Sequence, residues 1–362
     1  MESKLPQFLQ SEKLMSLNGL RAISIILVIF SHFFSYENNI SDLYLGKLAL
    51  GKFGVTIFFV LSGFLITSLL LKERFNNKII NLKQFYIRRV FRILPLIFLY
   101  LFILSGLNLL FKLGISKYSF INSILLIRNF PFLITNDWYT GHLWSLSVEE
   151  QYYLLFPFLL VKFKQEKYLK LIFLILIIMP ILFYLNHNSI GIFNHNKLFR
   201  GLSWLFIIII SPGTLSILVG SAASIIYYKY ESKLLFCISY KLLSIFLFII
   251  ALIIHILCTL EYLNYDLLGV FINILVAGVI ILNLNGNSFF SKILNNNYLE
   301  KIGVLSYSLY IWQQLFTIKQ AWWNIFPLEI SICINLILLI LTSYISYNYI
   351  EKKFIELRKK LF

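Results

Sequence analysis

Long apolar stretches constrain this chain more than any other feature. Ten of them approach the roughly 20 residues that a helix needs to cross the hydrocarbon core of a membrane. They lie near residues 17–36, 50–71, 93–111, 143–161, 169–185, 201–227, 242–260, 267–284, 302–320 and 329–350. Inside a membrane a helix satisfies its own backbone hydrogen bonds. The sequence therefore predicts an all-α, polytopic membrane protein with about ten transmembrane helices.

Composition agrees with a membrane location. Of the 362 residues, 59% are hydrophobic and 13% are charged, whereas soluble domains average about 25% charged residues. The net charge of +16 does not indicate nucleic-acid binding, because the basic residues cluster between apolar runs. The three cysteines lie within apolar runs without paired spacing, so we expect neither a disulfide framework nor a metal site.

The distribution of lysine and arginine predicts the orientation of the bundle. With ten spans and the N-terminus inside, 24 of the 32 basic residues fall on the cytoplasmic side and eight fall on the other side. This asymmetry follows the positive-inside rule. Both termini are therefore predicted to be cytoplasmic.

Two segments depart from a plain bundle of spans. Residues 118–133 form too short an apolar run to span, and Arg128 interrupts it, which predicts an interfacial or re-entrant segment on the outer face. The sequence SPG at residues 211–213 predicts a kink or break in the sixth span, because proline removes a backbone hydrogen bond. No linker or appended soluble segment is evident, so residues 1–362 are expected to form one membrane domain.

The first predicted span carries Arg21 near its inner end and His32 near its outer end. Eleven residues at 100° each bring the two side chains to within about 20° of alignment, with a rise of about 16 Å between them. They therefore share one helix face that reaches both sides of the membrane. Arg21 could simply extend to lipid headgroups while His32 sits at the interface, but ionisable residues within spans are candidates for function.

A basic motif precedes the third span. Arg88 and Arg92 are four residues apart and share a helix face, with Arg89 beside them. Guanidinium groups bind phosphate oxygens in a fork geometry. Two interpretations remain open, namely anchoring to anionic lipid and a cytoplasmic pocket for a phosphorylated donor.

A third motif, at residues 141–160, enters the fourth span from the outer side. Ser147 and Glu150 match a capping box, which would explain Glu150 structurally. Glu149 is not explained in that way, and on the predicted topology it lies on the same side as His32. A histidine and a carboxylate that face one cavity form a general base with its orienting partner. A solvated Glu149 is the alternative, and His142 is expected to be solvated.

Two further motifs carry less chemistry. Gly54, Ser62 and Gly63 lie in the second span, where small residues allow close helix approach, so packing is the favoured interpretation. Residues 303–316 combine serines, tyrosines, Trp312 and Gln313 on one span. An aromatic belt at the interface accounts for part of this pattern, although sugar-binding proteins use the same residue types.

Taken in order, six runs resemble the acyltransferase 3 family of integral membrane O-acyltransferases. They are LNGLRAISIILVIFSHFF, GVTIFFVLSGFLI, FYIRRVFRILP, LWSLSVEEQYYLLFP, SYSLYIWQ and SYNYIEKKF, and they extend over about residues 16–356. The resemblance implies a ten-helix protein that uses a cytoplasmic acyl-CoA donor and acylates extracytoplasmic glycans. It also implies that Arg21 and His32 match the arginine and histidine of the family's first helix and that Glu149 matches its acid.

By the same resemblance, Arg21, Arg88, Arg89 and Arg92 would bind the donor. Six other side chains are expected to line the acceptor pocket. They are Trp144, Ser147, Tyr307, Tyr310, Trp312 and Gln313.

The sequence departs from the family pattern at three positions. Asn18 stands where an aspartate is usual before Gly-Leu-Arg, and Gln313 replaces the histidine that commonly follows Tyr-Leu-Trp. The usual proline after Glu351 is also absent. Longer members carry a soluble esterase-like domain, for which this chain has no room, so we expect the membrane domain to act alone or to pass its product to another protein.

These residues lead to the hypothesis of a bacterial inner-membrane O-acetyltransferase. It would move an acyl group, most simply acetyl, from acetyl-CoA or another acyl-CoA to a hydroxyl of a cell-surface glycan such as lipopolysaccharide O-antigen, capsule or exopolysaccharide. His32, oriented by Glu149, would deprotonate the acceptor or carry the acyl group itself, and the sequence leaves both roles open. The expected partners are membrane lipid, acyl-CoA and a glycan that can be lipid-linked, with no bound cofactor, no metal and no nucleic acid.

Two rival interpretations also remain open at this point. A transporter or flippase for a lipid-linked glycan or an acyl donor is compatible with ten spans and a polar interior. The sequence shows no matching pair of Gly/Pro-interrupted spans of the kind found in inverted-repeat transporters. Alternatively, the enzyme class holds but the acceptor is peptidoglycan or a small-molecule metabolite.

Overall fold

The computed structural model describes residues 15–36, 48–130, 137–188, 209–238, 240–286, 288–317 and 328–361, together with a few single positions between these ranges. Within these ranges the secondary structure is helical, without a strand. The helices are α1 (Met15–Tyr36), α2 (Leu50–Asn77), α3 (Leu82–Phe111), α4 (Lys117–Ile124), α5 (Trp138–Gly141), α6 (Leu143–Lys162), α7 (Gln165–His187), α8 (Pro212–Ile238), α9 (Leu243–Thr259), α10 (Tyr265–Asn283), α11 (Phe289–Leu294), α12 (Asn297–Phe316), α13 (Leu328–Ser346) and α14 (Lys352–Leu361). A π-helical segment, Tyr347–Glu351, joins α13 to α14.

A helix occupies each of the ten predicted spans, although the first part of the sixth falls largely outside the described residues. Six helices are long and apolar enough to cross a membrane, namely α1, α2, α3, α7, α10 and the final run Glu329–Leu361. The chain is therefore a multi-pass membrane protein. Of the helices in the predicted spans, α6, α8, α9 and α12 fall outside this set, and two of them, α6 and α12, carry the polar motifs identified above. Ten spans and cytoplasmic termini stay predictions.

Helix α1 occupies a central position, because it packs against α2 on one side and against α12 on the other. Its inner half, with Leu17 and Leu20, joins an apolar core shared with α2, α8 and α10. Its outer half, with Ile25 and Val28, joins a second core shared with α3 and α12. The face that carries Arg21 and His32 is therefore enclosed by other helices along its length.

The longest helix contact joins α2 and α8, and glycines make it possible. A Cβ atom added to Gly63 would lie 1.9 Å from the carbonyl oxygen of Ile217, and one added to Gly220 would lie 2.0 Å from that of Val60. The two backbones thus touch directly, as small residues permit in membrane helices. Packing, as predicted, accounts for Gly63, and Gly54 likewise meets the carbonyl oxygen of Ser24 on α1.

Proline 212 begins a helix instead of bending one. Pro212 is the first residue of α8, and the Ser211 hydroxyl accepts a hydrogen bond from the backbone N–H of Thr214 at 3.3 Å. Proline fits this position because the first helical N–H has no partner within the helix. Of the two predicted outcomes, the break is therefore the one found.

The predicted interfacial segment contains the short helix α4, and its arginine is buried. The Arg128 guanidinium donates to Asp137 at 2.8 Å and to the Thr140 hydroxyl at 3.1 Å, and only 3% of its side chain is exposed. Burial lowers the pKa of the Arg128 guanidinium, and the Asp137 carboxylate partly offsets this effect. Asp137 also caps α5 by accepting from the Thr140 N–H at 2.9 Å. This ion pair fixes the chain immediately before α6.

We expect Gly63→Ala to destabilise the protein by about 1–3 kcal/mol, because the new methyl group overpacks the α2–α8 contact. Gly106→Ala is the matched control, since a Cβ at Gly106 meets no atom within 4 Å. Alanine should stabilise that helix by up to about 1 kcal/mol. Thermal unfolding of both purified variants checks this difference, and equal unfolding temperatures would contradict the close approach.

Removing the buried Arg128 cation should lower the free energy of unfolding. Arg128→Met leaves Asp137 without its ion-pair partner, so we expect a loss of about 3–5 kcal/mol, as for other broken buried pairs. Lys117→Met, which removes an exposed cation from α4, should change stability by less than about 0.5 kcal/mol. Thermal unfolding in the same detergent compares the two, and a similar small effect in both would refute the buried pair.

Candidate active site

A polar cavity lies between α1, α2, α3, α6 and α12, within the helix bundle. We call it the inner cavity, and its polar lining consists of Arg21, Ser62, Arg89, Arg92, Ser145, Glu149, Tyr153, Ser306, Tyr307 and Tyr310. It encloses about 100 Å³. Three of the four predicted donor-binding arginines and the predicted catalytic Glu149 therefore meet in one small space.

The carboxylate of Glu149 is held by hydroxyl groups. It accepts short hydrogen bonds from Ser62 on α2 and from Tyr153, one turn further along α6. The Arg89 guanidinium lies over the Tyr153 ring, 4.6 Å from its centroid. Among the described residues, no ion pair shorter than 4 Å joins Glu149 to an arginine. The three guanidinium groups that face this cavity have no ion-pair partner in the part of the chain that the structure describes.

A second cavity opens on the side that the basic residues assign to the cytoplasm. We call this space of about 410 Å³ the vestibule, and its polar lining is Lys72, Glu73, Asn76, Arg88, Arg89, Arg92 and Arg358. Arg89 and Arg92 line both cavities, so the vestibule adjoins the inner cavity. Arg88 lines the vestibule but not the inner cavity, and its guanidinium donates to the Glu73 carboxylate at 2.8 Å.

The predicted catalytic pair is not formed in this structure. His32 Nδ1 lies 3.0 Å from Gln313 Oε1, and the Trp138 ring packs edge-on against the imidazole at 5.5 Å. Glu149 instead shares the inner cavity with Arg21. The reason is depth, because Glu149 is six residues into α6, about 9 Å from its first residue. Gln313 therefore takes the orienting position that Glu149 was expected to fill.

The capping box predicted for Ser147 and Glu150 is wrong, because α6 begins at Leu143. Ser147 lies inside the helix, where its hydroxyl donates to the Leu143 carbonyl at 2.9 Å and accepts from the Arg128 N–H at 3.2 Å. It is buried and does not line the inner cavity. Ser145 does so, and its hydroxyl is 2.5 Å from that of Tyr310.

The expectation of a solvated His142 is also wrong, since its side chain is 4% exposed. The imidazole packs edge-on against the rings of Tyr100 and Tyr310. The Ile311 backbone lies near the imidazole, but neither ring nitrogen makes a hydrogen bond of standard geometry to the part of the chain that the structure describes. His142 is close enough to His32 for the two imidazoles to interact electrostatically.

Unsatisfied amide atoms also occur on α12, where Gln313 contacts His32 and the Gln314 side chain lies beside Gly141, the residue before His142. Gln313 Nε2 and Gln314 Oε1 are buried without a hydrogen-bond partner among the described residues. We call His32, His142, Gln313 and Gln314 the outer polar cluster. Buried polar atoms are normally hydrogen-bonded, so four unsatisfied atoms in one cluster indicate positions for a water molecule or a ligand hydroxyl.

The remaining predicted pocket residues have different positions. The Tyr307 hydroxyl donates to the Ile93 carbonyl at 2.7 Å and that of Tyr310 to the His142 carbonyl at 2.7 Å, and both side chains line the inner cavity. Trp312 is buried and donates to Ser346 at 2.9 Å, away from this cavity. Trp144 lines an outer cavity of about 650 Å³, which shares Val55 and Phe59 with the inner cavity.

Sequence reasoning missed two polar residues of the site. Ser62 was assigned to packing but donates to Glu149. Glu351 is buried in the π-helical segment, accepts a short hydrogen bond from Ser308 and lies close enough to Arg92 to interact with it electrostatically. Its signal in the sequence was an acidic residue at the end of an apolar run, and single-turn π-helices often mark functional sites.

This chain is similar in sequence to O-acetyltransferases of Staphylococcus aureus. The protein named "Putative O-acetyltransferase SACOL0978" from Staphylococcus aureus strain COL is 29% identical in an alignment of 366 positions, gaps included, that covers 93% of this chain and 56% of that protein. O-acetyltransferase OatA from S. aureus strain NCTC 8325 is 28% identical in an alignment of 369 positions that covers 96% of this chain and 57% of that protein. This chain thus spans little more than half the length of these relatives. No solved structure is significantly similar to it.

The family comparison covers most of the chain. A sequence model of the acyltransferase 3 family, described as an acyltransferase domain, matches residues 15–349. The matched region contains the inner cavity, the outer polar cluster and most of the vestibule. With this extent of agreement, the chain belongs to the acyltransferase 3 family.

Proposed function

We propose that this protein transfers an acetyl group from acyl-CoA on the cytoplasmic side of a bacterial membrane to a hydroxyl group of a cell-surface glycan on the other side. The observation that carries the proposal is a continuous series of polar groups through the bundle. It begins with the vestibule, passes the inner cavity and the Ser145–Tyr310 hydroxyl pair, and ends at the outer polar cluster. The names of the S. aureus relatives support O-acetyl transfer as the reaction.

The donor side carries an excess of positive charge. Arg21, Arg89 and Arg92 face the inner cavity without a direct ion pair to a described residue, and an unpaired charge inside a membrane protein is costly. A ligand that brings phosphate groups relieves this cost, since guanidinium forks match phosphate oxygens. Coenzyme A carries such groups at one end and its reactive thioester at the other.

Cavity sizes suggest how such a donor is arranged. The inner cavity, at about 100 Å³, has room for a narrow chain, whereas the vestibule, at about 410 Å³, has room for a nucleotide. The phosphates would stay near the vestibule while the pantetheine arm passes Arg89 and Arg92. The arm would bring the thioester past Glu149 toward Ser145 and Tyr310.

His32 supplies the base on the acceptor side. With Nδ1–H donating to Gln313 Oε1, the imidazole presents its Nε2 lone pair to a bound hydroxyl group. Nε2 takes the hydroxyl proton, the acceptor oxygen attacks the acetyl carbonyl carbon, and the carbon–sulfur bond breaks. The imidazolium then returns the proton to the departing thiolate, so that free coenzyme A leaves as a thiol. If His32 carries the acetyl group, Nε2 itself attacks the thioester carbon, and the coenzyme A thiolate leaves as the carbon–sulfur bond breaks. The acceptor hydroxyl then attacks the acyl-imidazolium, the carbon–nitrogen bond breaks to regenerate His32, and the hydroxyl proton passes to the thiolate.

In this arrangement Glu149 serves the donor side, and Gln313 orients His32. Glu149 balances part of the arginine charge and holds Ser62 and Tyr153 in place. On the acceptor side, Trp144 follows His142 by two residues and lines the outer cavity with Tyr265 and Asn273. Aromatic and amide side chains of this kind suit a sugar, so the outer cavity can receive the rest of a glycan such as O-antigen, capsule or exopolysaccharide.

The first test is mass spectrometry of surface glycans from cells that express the wild type, His32→Ala, Ile26→Ala or no protein. An acetyl increment is expected with the wild type and with Ile26→Ala, which alters an exposed apolar residue of the same helix. His32→Ala should reduce transfer by a factor of about 10² to 10⁴ if His32 is a general base, with the protein still inserted in the membrane. Glycan transport without turnover of labelled acetyl-CoA would instead favour a flippase.

The pH dependence of transfer follows from the role of His32. Both roles require a neutral imidazole, so the rate should fall as pH drops through the range in which the imidazole becomes protonated. Gln313→Glu places a carboxylate beside Nδ1, which stabilises the imidazolium, and should move this fall to higher pH. Initial rates with labelled acetyl-CoA between pH 5 and pH 9 measure both profiles, and a flat profile in the wild type would argue against a catalytic His32.

A further inference from the structure

The vestibule includes a cation that no sequence motif had marked. Arg358, on the C-terminal helix α14, lines it together with Lys72, Arg88, Arg89 and Arg92. The family match ends at residue 349, so Arg358 lies beyond the region that the family comparison describes. This helix is therefore part of the wall of a cavity that adjoins the candidate active site.

Arg358 differs from the other cations of α14 in its surroundings. Lys352, Lys353, Lys359 and Lys360 are exposed, whereas Arg358 is half-buried. It also lines a shallow depression beside Arg88, further from the inner cavity. Among the described residues it has no ion-pair partner, and the Glu73 carboxylate of the same vestibule is taken up by Arg88.

The charge balance of the vestibule indicates an anionic ligand. Five cations face one carboxylate, and a half-buried guanidinium without a partner gains most from an anion with several oxygens. A lipid headgroup and a phosphorylated donor both offer phosphate oxygens. The concave shape of the vestibule and its shared wall with the inner cavity favour the donor.

The position of Arg358 indicates which part of the donor it contacts. Arg89 and Arg92 stand at the junction of the two cavities, whereas of these two cavities Arg88 lines only the vestibule. Arg358 lines the depression on the far side of Arg88. The ligand group at Arg358 is therefore the one most remote from the thioester.

We propose that Arg358, together with Arg88, binds the 3′-phosphate of the coenzyme A donor and so selects for the 3′-phosphorylated form. This inference rests on the proposed function, in which acyl-CoA is the donor. The 3′-phosphate is a phosphomonoester with a charge of about −1.5 to −2 at neutral pH. Its three oxygens can accept charge-assisted hydrogen bonds from the guanidinium N–H groups, and the fork geometry makes these bonds directional.

The test compares acetyl-CoA with acetyl-3′-dephospho-CoA as donors for the purified full-length protein. Wild type, Arg358→Ala, Arg358→Lys and Lys360→Ala are assayed in nanodiscs of phosphatidylcholine, with and without phosphatidylglycerol. Lys360 is the matched control, because it is an exposed cation of the same helix. Michaelis constants and turnover numbers are measured separately for each donor.

We expect the wild type and Lys360→Ala to prefer acetyl-CoA in kcat/KM by about tenfold, as one charge-assisted contact allows. Arg358→Ala should raise the KM for acetyl-CoA several-fold, leave kcat unchanged and remove most of the preference between donors, because only Arg88 then remains at the 3′-phosphate. Arg358→Lys should retain part of the preference for acetyl-CoA, since lysine keeps the positive charge but loses the forked pair of N–H donors. The result should be the same in both lipid compositions.

Three results would overturn the inference while acetyl transfer itself persists. One is a wild type that uses both donors equally, and another is an Arg358→Ala defect of the same size with both donors. The third is a defect confined to discs with phosphatidylglycerol, which would assign Arg358 to a lipid headgroup. Failure of the proposed function looks different, because the wild type would then turn over neither donor.

Discussion

The cost of holding guanidinium groups inside a membrane bundle governs this structure. Arg21, Arg89 and Arg92 face one small cavity, and the nearby Glu149 carboxylate is held by hydroxyl groups instead of by an arginine. Charges in this position persist only in a polar cavity or beside a partner. The helices that enclose the cavity are the ones that supply its polar lining, and α6 and α12 are less apolar for that reason.

Close packing elsewhere makes room for this polar interior. Helices α2 and α8 touch backbone to backbone at Gly63 and Gly220. This contact joins α2 to the apolar core formed with α8 and α10, while another face of α2 carries Ser62 into the cavity. The same helix therefore supplies both a dense backbone contact and a hydroxyl group of the site.

The two ends of α1 lie in different environments. Arg21 lies among cations beside the vestibule, and His32 lies among amides and a second histidine with unsatisfied hydrogen bonds. About 16 Å of helix separates them, which is a distance that an extended chemical arm can cover but a single side chain cannot. Under the proposed function, the donor's own length connects the two ends, and the protein provides charge at one end and a base at the other.

The helices and the shared face of Arg21 and His32 follow from the amino-acid sequence alone. The length of an apolar run and the 100° rotation per helical residue are local properties, so they can be predicted without knowing which helices lie next to each other. The start of α6, the burial of His142 and the partners of Glu149 required the tertiary structure. Each depends on which helix lies opposite, and a capping motif inside a longer helix looks the same in sequence as one at its end. The replacement of Glu149 by Gln313 beside His32 has the same origin, because depth in the bundle is set by packing between segments distant in the chain. For the same reason Arg358 looked like one more basic residue of a charged tail until α14 was placed against α3.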